Sequence, residues 1–89
     1  MVKPQSSAVW QLYGTLGCHL CEQAEQQLQQ LADARAIRLQ VVDIAELSTR
    51  DMNQWATQIP VLITPHVHLN WPFSVLDLMQ AYQEEIADD

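Results

Sequence analysis

Basic residues, glycine and long apolar stretches are scarce in this sequence, and each scarcity excludes a class of protein. The 89 residues carry four Lys and Arg against eleven Asp and Glu, which gives a formal net charge of -7. This charge has the wrong sign for a nucleic-acid backbone or an anionic membrane surface, so we expect no nucleic-acid and no membrane partner. Apolar runs extend over only a few residues, far fewer than the roughly 20 that a membrane-spanning helix requires.

Cysteine is equally rare, with only Cys18 and Cys21, so the chain is not a disulfide-dense secreted scaffold. The N-terminal residues are polar and include a proline where a signal peptide would be apolar, which makes the cytosol (a cytoplasmic location) the expected compartment. Glycine occurs only at positions 14 and 17, which leaves no flexible internal linker. We therefore predict a single domain over residues 1–89, with residues 1–7 as a flexible tail, and we expect a monomer.

Alternating strand-like and helix-like segments predict the element order βαβ, α, ββ, α. Four short segments are rich in β-branched and aromatic residues: residues 8–13, 37–42, 60–64 and 67–69. Apolar residues recur at helical spacing from Cys18 to Leu31, and two capping boxes, which start at Ser48 and Ser74, begin two further helices. A strand-helix-strand unit implies a parallel strand pair, so we predict an α/β fold with a four-stranded mixed sheet flanked by helices.

The Cys18-His19-Leu20-Cys21 segment follows the first predicted strand and opens the first predicted helix. Unpaired N–H groups and the positive end of the helix dipole favour a thiolate there, and cysteines in such positions have pKa values of roughly 3.5 to 7.5 instead of about 8.5. A spacing of three places the second sulfur on the same helical face, where it can attack a mixed disulfide formed by the first. This pattern predicts Cys18 as the nucleophile and Cys21 as the resolving cysteine.

From about Val9 to Glu84, the chain resembles the small glutaredoxin-like proteins of the thioredoxin superfamily. The resemblance rests on the element order, on the segment from Leu12 to Cys21 and on the segment from Gln58 to Leu62. It implies a thioredoxin-like fold and a thiol-disulfide oxidoreductase that acts on protein or small-molecule disulfides and thiols. In that family the matching proline is cis and lies beside the redox cysteines, and the backbone before it pairs with a bound peptide or glutathione. The resemblance therefore implies that Ile59 and Pro60 form a substrate-docking edge.

The chain differs from ordinary glutaredoxins at two places that hold glutathione in that family. No Lys stands among residues 14–17, and Asn70-Trp71-Pro72-Phe73 replaces the Gly-Gly before the last helix. The electron donor is either glutathione or a reductase, and these differences weaken the case for glutathione. No organic cofactor is required. The segment 70–73 is either an aromatic lip that grips a partner or, as we favour, a helix-capping segment with Phe73 as a hydrophobic staple.

His19 has two possible roles, since its imidazolium could stabilise the Cys18 thiolate or the residue could be a solvent-exposed first-turn position. Asp43, at the end of a predicted strand, is either a proton acceptor near the cysteines or, as we favour, a loop residue. Eight residues are predicted to be core: Trp10, Trp55, Leu28, Leu31, Val41, Ile63, Leu78 and Tyr82.

Cys18, Cys21, His66 and His68 have the ligand count of a tetrahedral zinc site. The two histidines, however, follow a predicted hairpin turn and fall at the far end of the sheet, so we expect them to share the solvated face of an edge strand and predict no metal site.

Two alternatives to an enzyme remain open. One is metal or iron-sulfur binding through Cys18 and a partner thiol, and the other is a non-catalytic interaction module that docks a partner through Ile59, Pro60 and residues 71–73.

Overall fold

The computed structural model describes residues 9–87, which form four β-strands, three α-helices and one single-turn 3-10 helix. In chain order the elements are β1 (Val9–Gly14), α1 (His19–Arg35), β2 (Arg38–Asp43), the 3-10 helix (Ile44–Glu46), α2 (Thr49–Trp55), β3 (Val61–Ile63), β4 (His68–Asn70) and α3 (Val75–Ala87). The predicted order is confirmed. The predicted tail at residues 1–7 lies outside the described residues.

The four strands form one mixed sheet in the order β2-β1-β3-β4. β1 and β2 are parallel, while β3 is antiparallel to both β1 and β4. The registers that position the site are Gly14 opposite Asp43 and Tyr13 opposite Val61. The carboxyl ends of β1 and β2 and the amino end of β3 therefore meet at one edge of the sheet.

Helices cover both faces of this sheet, as predicted. Because side chains alternate along a strand, Trp10 and Leu12 point to the same face, and Leu62 lies opposite Leu12 on that face. Helices α1 and α3 pack there, and the buried core consists of Trp10, Leu12, Ala24, Leu28, Leu62, Phe73, Leu78 and Ala81. On the other face, the Trp55 ring of α2 contacts the Tyr13 ring with 5.3 Å between centroids.

The caps explain where the helices begin and end. Ser48 accepts a hydrogen bond from the Asp51 N–H at the start of α2, and Ser74 and Asp77 exchange two reciprocal hydrogen bonds at the start of α3. Both predicted capping boxes thus mark true helix starts. Helix α1 ends at Arg35, and its C-cap residue Ala36 has a left-handed backbone with φ of 57°, a conformation that usually selects glycine.

The core prediction for Val41 is wrong, because 49% of this residue is exposed. β2 is an edge strand, and Val41 lines an open surface cavity between β2 and the first turns of α1, so no side chain covers it fully. The other predicted core residues are buried or half-buried. Within residues 9–87, no helix is long and apolar enough to cross a membrane.

Candidate functional site

Cys18 and Cys21 are joined by a disulfide at the N-terminus of α1, with 5.2 Å between their Cα atoms. The two cysteine residues differ in accessibility. Cys18 is only partly buried and lies just outside the helix, whereas Cys21, one turn into α1, is 7% exposed. Cys18 is therefore the more accessible residue of the disulfide.

Cys18 is the N-cap residue of α1. Its backbone is extended, and its Sγ accepts a hydrogen bond from the Cys21 N–H at 3.2 Å, while its carbonyl accepts the Glu22 N–H at 3.1 Å. One of the unpaired N–H groups of the helix terminus is thus directed at sulfur. A thiolate at this position would receive a charge-assisted hydrogen bond, which stabilises it relative to the thiol.

Two glycines shape the approach to the cysteines. A Cβ atom on Gly14 would lie 3.1 Å from both Cβ and Sγ of Cys21, so the absence of a side chain lets Cys21 pack directly on the end of β1. Gly17 has a φ of 79°, in the region that favours glycine, and this allows the turn between β1 and Cys18. Gly14 and Gly17 therefore allow the disulfide to lie close to the carboxyl end of β1.

Ile59 and Pro60 lie at the same edge of the sheet as the cysteines. Since Tyr13 is opposite Val61, Pro60 comes beside Gly14, the residue that contacts Cys21. The Ile59–Pro60 peptide bond is cis. The Pro60 carbonyl accepts the Trp71 N–H at 3.1 Å, and the Ile59 N–H donates to the Trp55 carbonyl at 3.2 Å.

The segment Asn70–Phe73 is held in the fold. Phe73 is buried in the core just before the Ser74 cap, which agrees with the staple interpretation, and its carbonyl accepts a hydrogen bond from Gln27 Nε2 at 3.1 Å. The half-buried Trp71 ring packs edge to face on Phe73, with 5.1 Å between centroids. The Trp71–Pro72 peptide bond is also cis.

His19 is the first residue of α1 and is exposed. Among residues 9–87, no partner hydrogen-bonds to its ring or pairs with its charge. Its proximity to Cys18 in the chain is the feature that links it to the thiol chemistry, and its role in tuning Cys18 stays a prediction.

A cavity of about 120 Å³ adjoins Cys21 on the β2 side of the site. Its lining combines apolar side chains, the loop before Cys18 and three carboxylates: Leu12, Gly14, Thr15, Leu16, Gly17, Cys21, Glu22, Glu25, Val41 and Asp43. Asp43 also caps the 3-10 helix, because its Oδ1 accepts the Ala45 N–H at 2.9 Å. Asp43 is the last residue of β2 and is half-buried at the cavity, so the favoured prediction of a loop residue differs from the structure. The parallel pairing of β1 and β2 could have predicted this position, because the carboxyl ends of parallel strands lie at the same edge of the sheet, and the cysteines follow the carboxyl end of β1.

The two histidines lie away from the cysteines, but the prediction that they share a face is wrong. His66 precedes β4, in the turn, where its N–H donates to Glu85 Oε2 at 2.9 Å and its Nδ1 lies 3.1 Å from Glu85 Oε1. His68 instead contacts the Trp55 ring on the opposite face of the sheet. The alternation of a strand does not extend through a turn. Within the described part of the chain, no three His, Cys, Asp or Glu side chains are grouped as metal ligands.

Comparisons with known proteins agree with this architecture. The X-ray structure of target protein XcR50 from X. campestris is 32% identical and has a TM-score of 0.68, over 84% of this chain and 96% of that one. Thioredoxin 1 from Thermosipho africanus TCF52B is 16% identical and has a TM-score of 0.70, over 91% of this chain and 99% of that one. At this identity the likeness shows the thioredoxin-like fold alone. No protein with a curated function matches. The profile of the glutaredoxin-like domain (DUF836) matches residues 10–87, so the chain belongs to that family.

Proposed function

We propose that the protein is a thiol-disulfide oxidoreductase in which Cys18 is the nucleophile and Cys21 the resolving cysteine. The observation that carries this proposal is the asymmetry of the pair: a partly exposed Cys18 at the N-cap is bonded to a Cys21 that is shielded by α1 and β1. Such a pair presents one sulfur to a substrate and keeps the second within reach of the first.

The proposed reaction transfers two electrons from the dithiol to a substrate disulfide. The Cys18 thiolate attacks one substrate sulfur, forms a mixed disulfide and releases the other substrate sulfur as a thiolate. Cys21 then loses its proton to solvent and attacks Cys18 Sγ, which forms the Cys18–Cys21 disulfide and releases the second substrate thiol. An external thiol reduces the pair again, so no organic cofactor takes part.

Ile59 and Pro60 form the docking edge in this proposal, because the register places them beside the strand on which Cys21 packs. The Ile59 N–H is already bonded to Trp55. A docked peptide can therefore pair with the Ile59 carbonyl without disturbing α2.

We propose a monomeric enzyme of the cytoplasm, where reductants keep thiols reduced. Its reductant is glutathione or a reductase. The segment 70–73 supports the second choice, since Trp71 and Phe73 pack on each other where ordinary glutaredoxins have a Gly-Gly turn for glutathione. The experiment that decides between them measures the rate at which the oxidised enzyme is reduced. It compares glutathione with a thioredoxin reductase system at equal reducing power.

The first experiment is thiol trapping of the Cys18–Cys21 pair after equilibration in a series of dithiol redox buffers. We expect one reversible two-electron transition between roughly -120 and -300 mV, the range of exchange catalysts. If no intramolecular disulfide forms at any potential, the dithiol mechanism is excluded. Metal content after anaerobic purification would then test the alternative of a metal or cluster site.

Single serine variants test the separate roles. We expect Cys18→Ser to lose all disulfide-reductase activity, because no exposed sulfur remains to attack the substrate. Cys21→Ser should still attack and should accumulate a mixed disulfide between Cys18 and the substrate, visible by mass spectrometry. Each variant is the control for the other, and equal residual activity in both would contradict the assignment.

A further inference from the structure

We propose that the cavity beside Cys21 is a specificity pocket for a lysine or arginine side chain next to the reacting cysteine of a polypeptide disulfide. This inference rests on the proposed function and names its substrate class. The pocket is defined by Leu12, residues 14–17, Cys21, Glu22, Glu25, Val41 and Asp43.

The inner wall of the pocket suits an aliphatic chain. Leu12, Leu16 and Val41 supply apolar surface around a volume of about 120 Å³, close to the roughly 150 Å³ of a cavity that accommodates benzene. Leu16 is 88% exposed, so it covers little of the core and is free to contact a ligand. Lysine and arginine pack their methylene stems along such surfaces and keep the charged group in water.

The rim of the pocket is negative and lacks a cation. Glu22 and Glu25 are exposed on adjacent turns of α1, and their carboxylates make no hydrogen bond or ion pair with any residue in the range 9–87. Asp43 adds a third carboxylate. None of the residues that line the pocket, all within the described range, is Lys or Arg. Like charges at this helical spacing repel, and a bound cation would relieve that repulsion.

The sheet order places the pocket where a docked substrate would reach it. The cysteines lie over β1, the Ile59–Pro60 edge lies on the β3 side, and the pocket lies on the β2 side. A peptide docked at that edge, with its sulfur at Cys18, extends across β1 towards the pocket. One extended residue spans about 3.3–3.6 Å, so the residue adjacent to the substrate cysteine has its side chain at the rim.

The test compares two sets of three peptides, and each peptide carries one cysteine in a mixed disulfide with 2-mercaptoethanol. In each set the residue next to this cysteine is lysine, norleucine or diaminobutyrate. It precedes the cysteine in one set and follows the cysteine in the other. Norleucine keeps the stem without the charge, and diaminobutyrate keeps the charge on a shorter stem. The measured quantity is kcat/KM for reduction with dithiothreitol as the recycling reductant, divided by the uncatalysed rate for the same peptide.

We expect the lysine peptide to react about 1.4- to 5-fold faster than the norleucine peptide at low ionic strength, the range that exposed ion pairs provide. The preference should fall in 0.5 M salt, because salt screens exposed charges. The lysine peptide should also exceed the diaminobutyrate peptide by about 2- to 3-fold, because only the longer stem fills the apolar wall.

The double variant E22Q/E25Q should bring the ratio of lysine to norleucine rates close to one. Its charge-matched control is D33N/E84Q, which removes two exposed carboxylates that do not line the pocket, and this control should keep the ratio.

Equal rates for lysine and norleucine peptides would overturn the pocket while leaving the proposed function intact. Equal rates for lysine and diaminobutyrate would also overturn it, since charge alone would then act. Failure to reduce any peptide would overturn the proposed function, and the pocket with it.

Discussion

Replacing Glu85 with glutamine removes one negative charge from a polar contact that joins α3 to the turn between β3 and β4. Glu85 Oε2 accepts hydrogen bonds from Thr64 Oγ1 at 2.7 Å and from the His66 N–H at 2.9 Å, and Oε1 lies 3.1 Å from His66 Nδ1. The carboxylate side chain is only 7% exposed. Glutamine keeps the shape, but it offers one oxygen and one NH₂ group where the carboxylate offers two acceptors.

The magnitude follows from the type of hydrogen bond that is lost. A hydrogen bond to a charged group contributes about 1.5–3 kcal/mol, and a neutral one about 0.5–1.5 kcal/mol. Weakening the two bonds at Oε2 should lower the free energy of unfolding by about 2 kcal/mol. For a domain of this size that corresponds to a fall in Tm of roughly 8–16 °C. The matched control is Glu84→Gln on the same helix, an exposed position where we expect a change within about 0.5 kcal/mol.

The pH dependence gives the sharper assay. Desolvation by burial acts to raise the pKa of Glu85, but the hydrogen bonds from Thr64 and His66 and the attraction to the His66 ring prevail and lower it below 4.5. The unfolded chain therefore binds the proton more readily than the folded one, so this carboxylate stabilises the fold above pH 4.5. That stabilisation is lost as the pH falls through the folded-state pKa.

Urea unfolding of wild type and Glu85→Gln, followed by circular dichroism from pH 7 to pH 3, measures this effect. The difference in the free energy of unfolding should be largest at neutral pH and should shrink at the acid end, where the wild-type carboxylate is also neutral. A difference that stays constant over the whole range would refute the electrostatic reasoning. So would a Glu85→Gln variant as stable as Glu84→Gln at pH 7.

Three further substitutions test the packing and the backbone. Gly14→Ala should destabilise the fold by about 1–3 kcal/mol in urea unfolding, because the added Cβ lies 3.1 Å from Cys21; an unchanged midpoint would show that Cys21 moves freely. Ala36→Gly should raise stability by about 0.5–1 kcal/mol, since φ is 57° there, and a loss of stability would contradict that origin. Leu28→Ala should cost about 2–5 kcal/mol at a position 1% exposed, whereas the exposed Leu16→Ala should unfold at the wild-type urea concentration.

The features that could be predicted from the sequence are those that depend on neighbours in the chain. The caps at Ser48 and Ser74 need only a residue three positions later, and both are present. The position of Cys18 and Cys21 at a helix start needs only the preceding strand-like segment and the following helical spacing. A helix terminus acts within its first turn, so the chemistry it favours can be inferred locally.

The features that could not be predicted depend on long-range register. Val41 has the apolar character of a core residue, but the sheet order makes β2 an edge and leaves this side chain at the pocket. The contact of Thr64 and His66 with Glu85 joins residues about twenty positions apart. No sequence period predicts such a contact, because it depends on where α3 crosses the sheet. The same applies to the pocket, which brings together residues from β1, α1 and β2.

Glu85 differs from Glu22 and Glu25 in its surroundings, and this difference separates a role in stability from a role in recognition. Glu85 is buried, and a buried charge is tolerated only where hydrogen bonds compensate its desolvation, so its partners are already present within the fold. Glu22 and Glu25 are exposed and carry no partner in the described chain. Solvent satisfies them at little cost, and the fold gains from them only the modest helix-dipole stabilisation of Glu22 in the first turn of α1. In the proposed pocket both carboxylates gain a partner, the cationic side chain that arrives with the substrate.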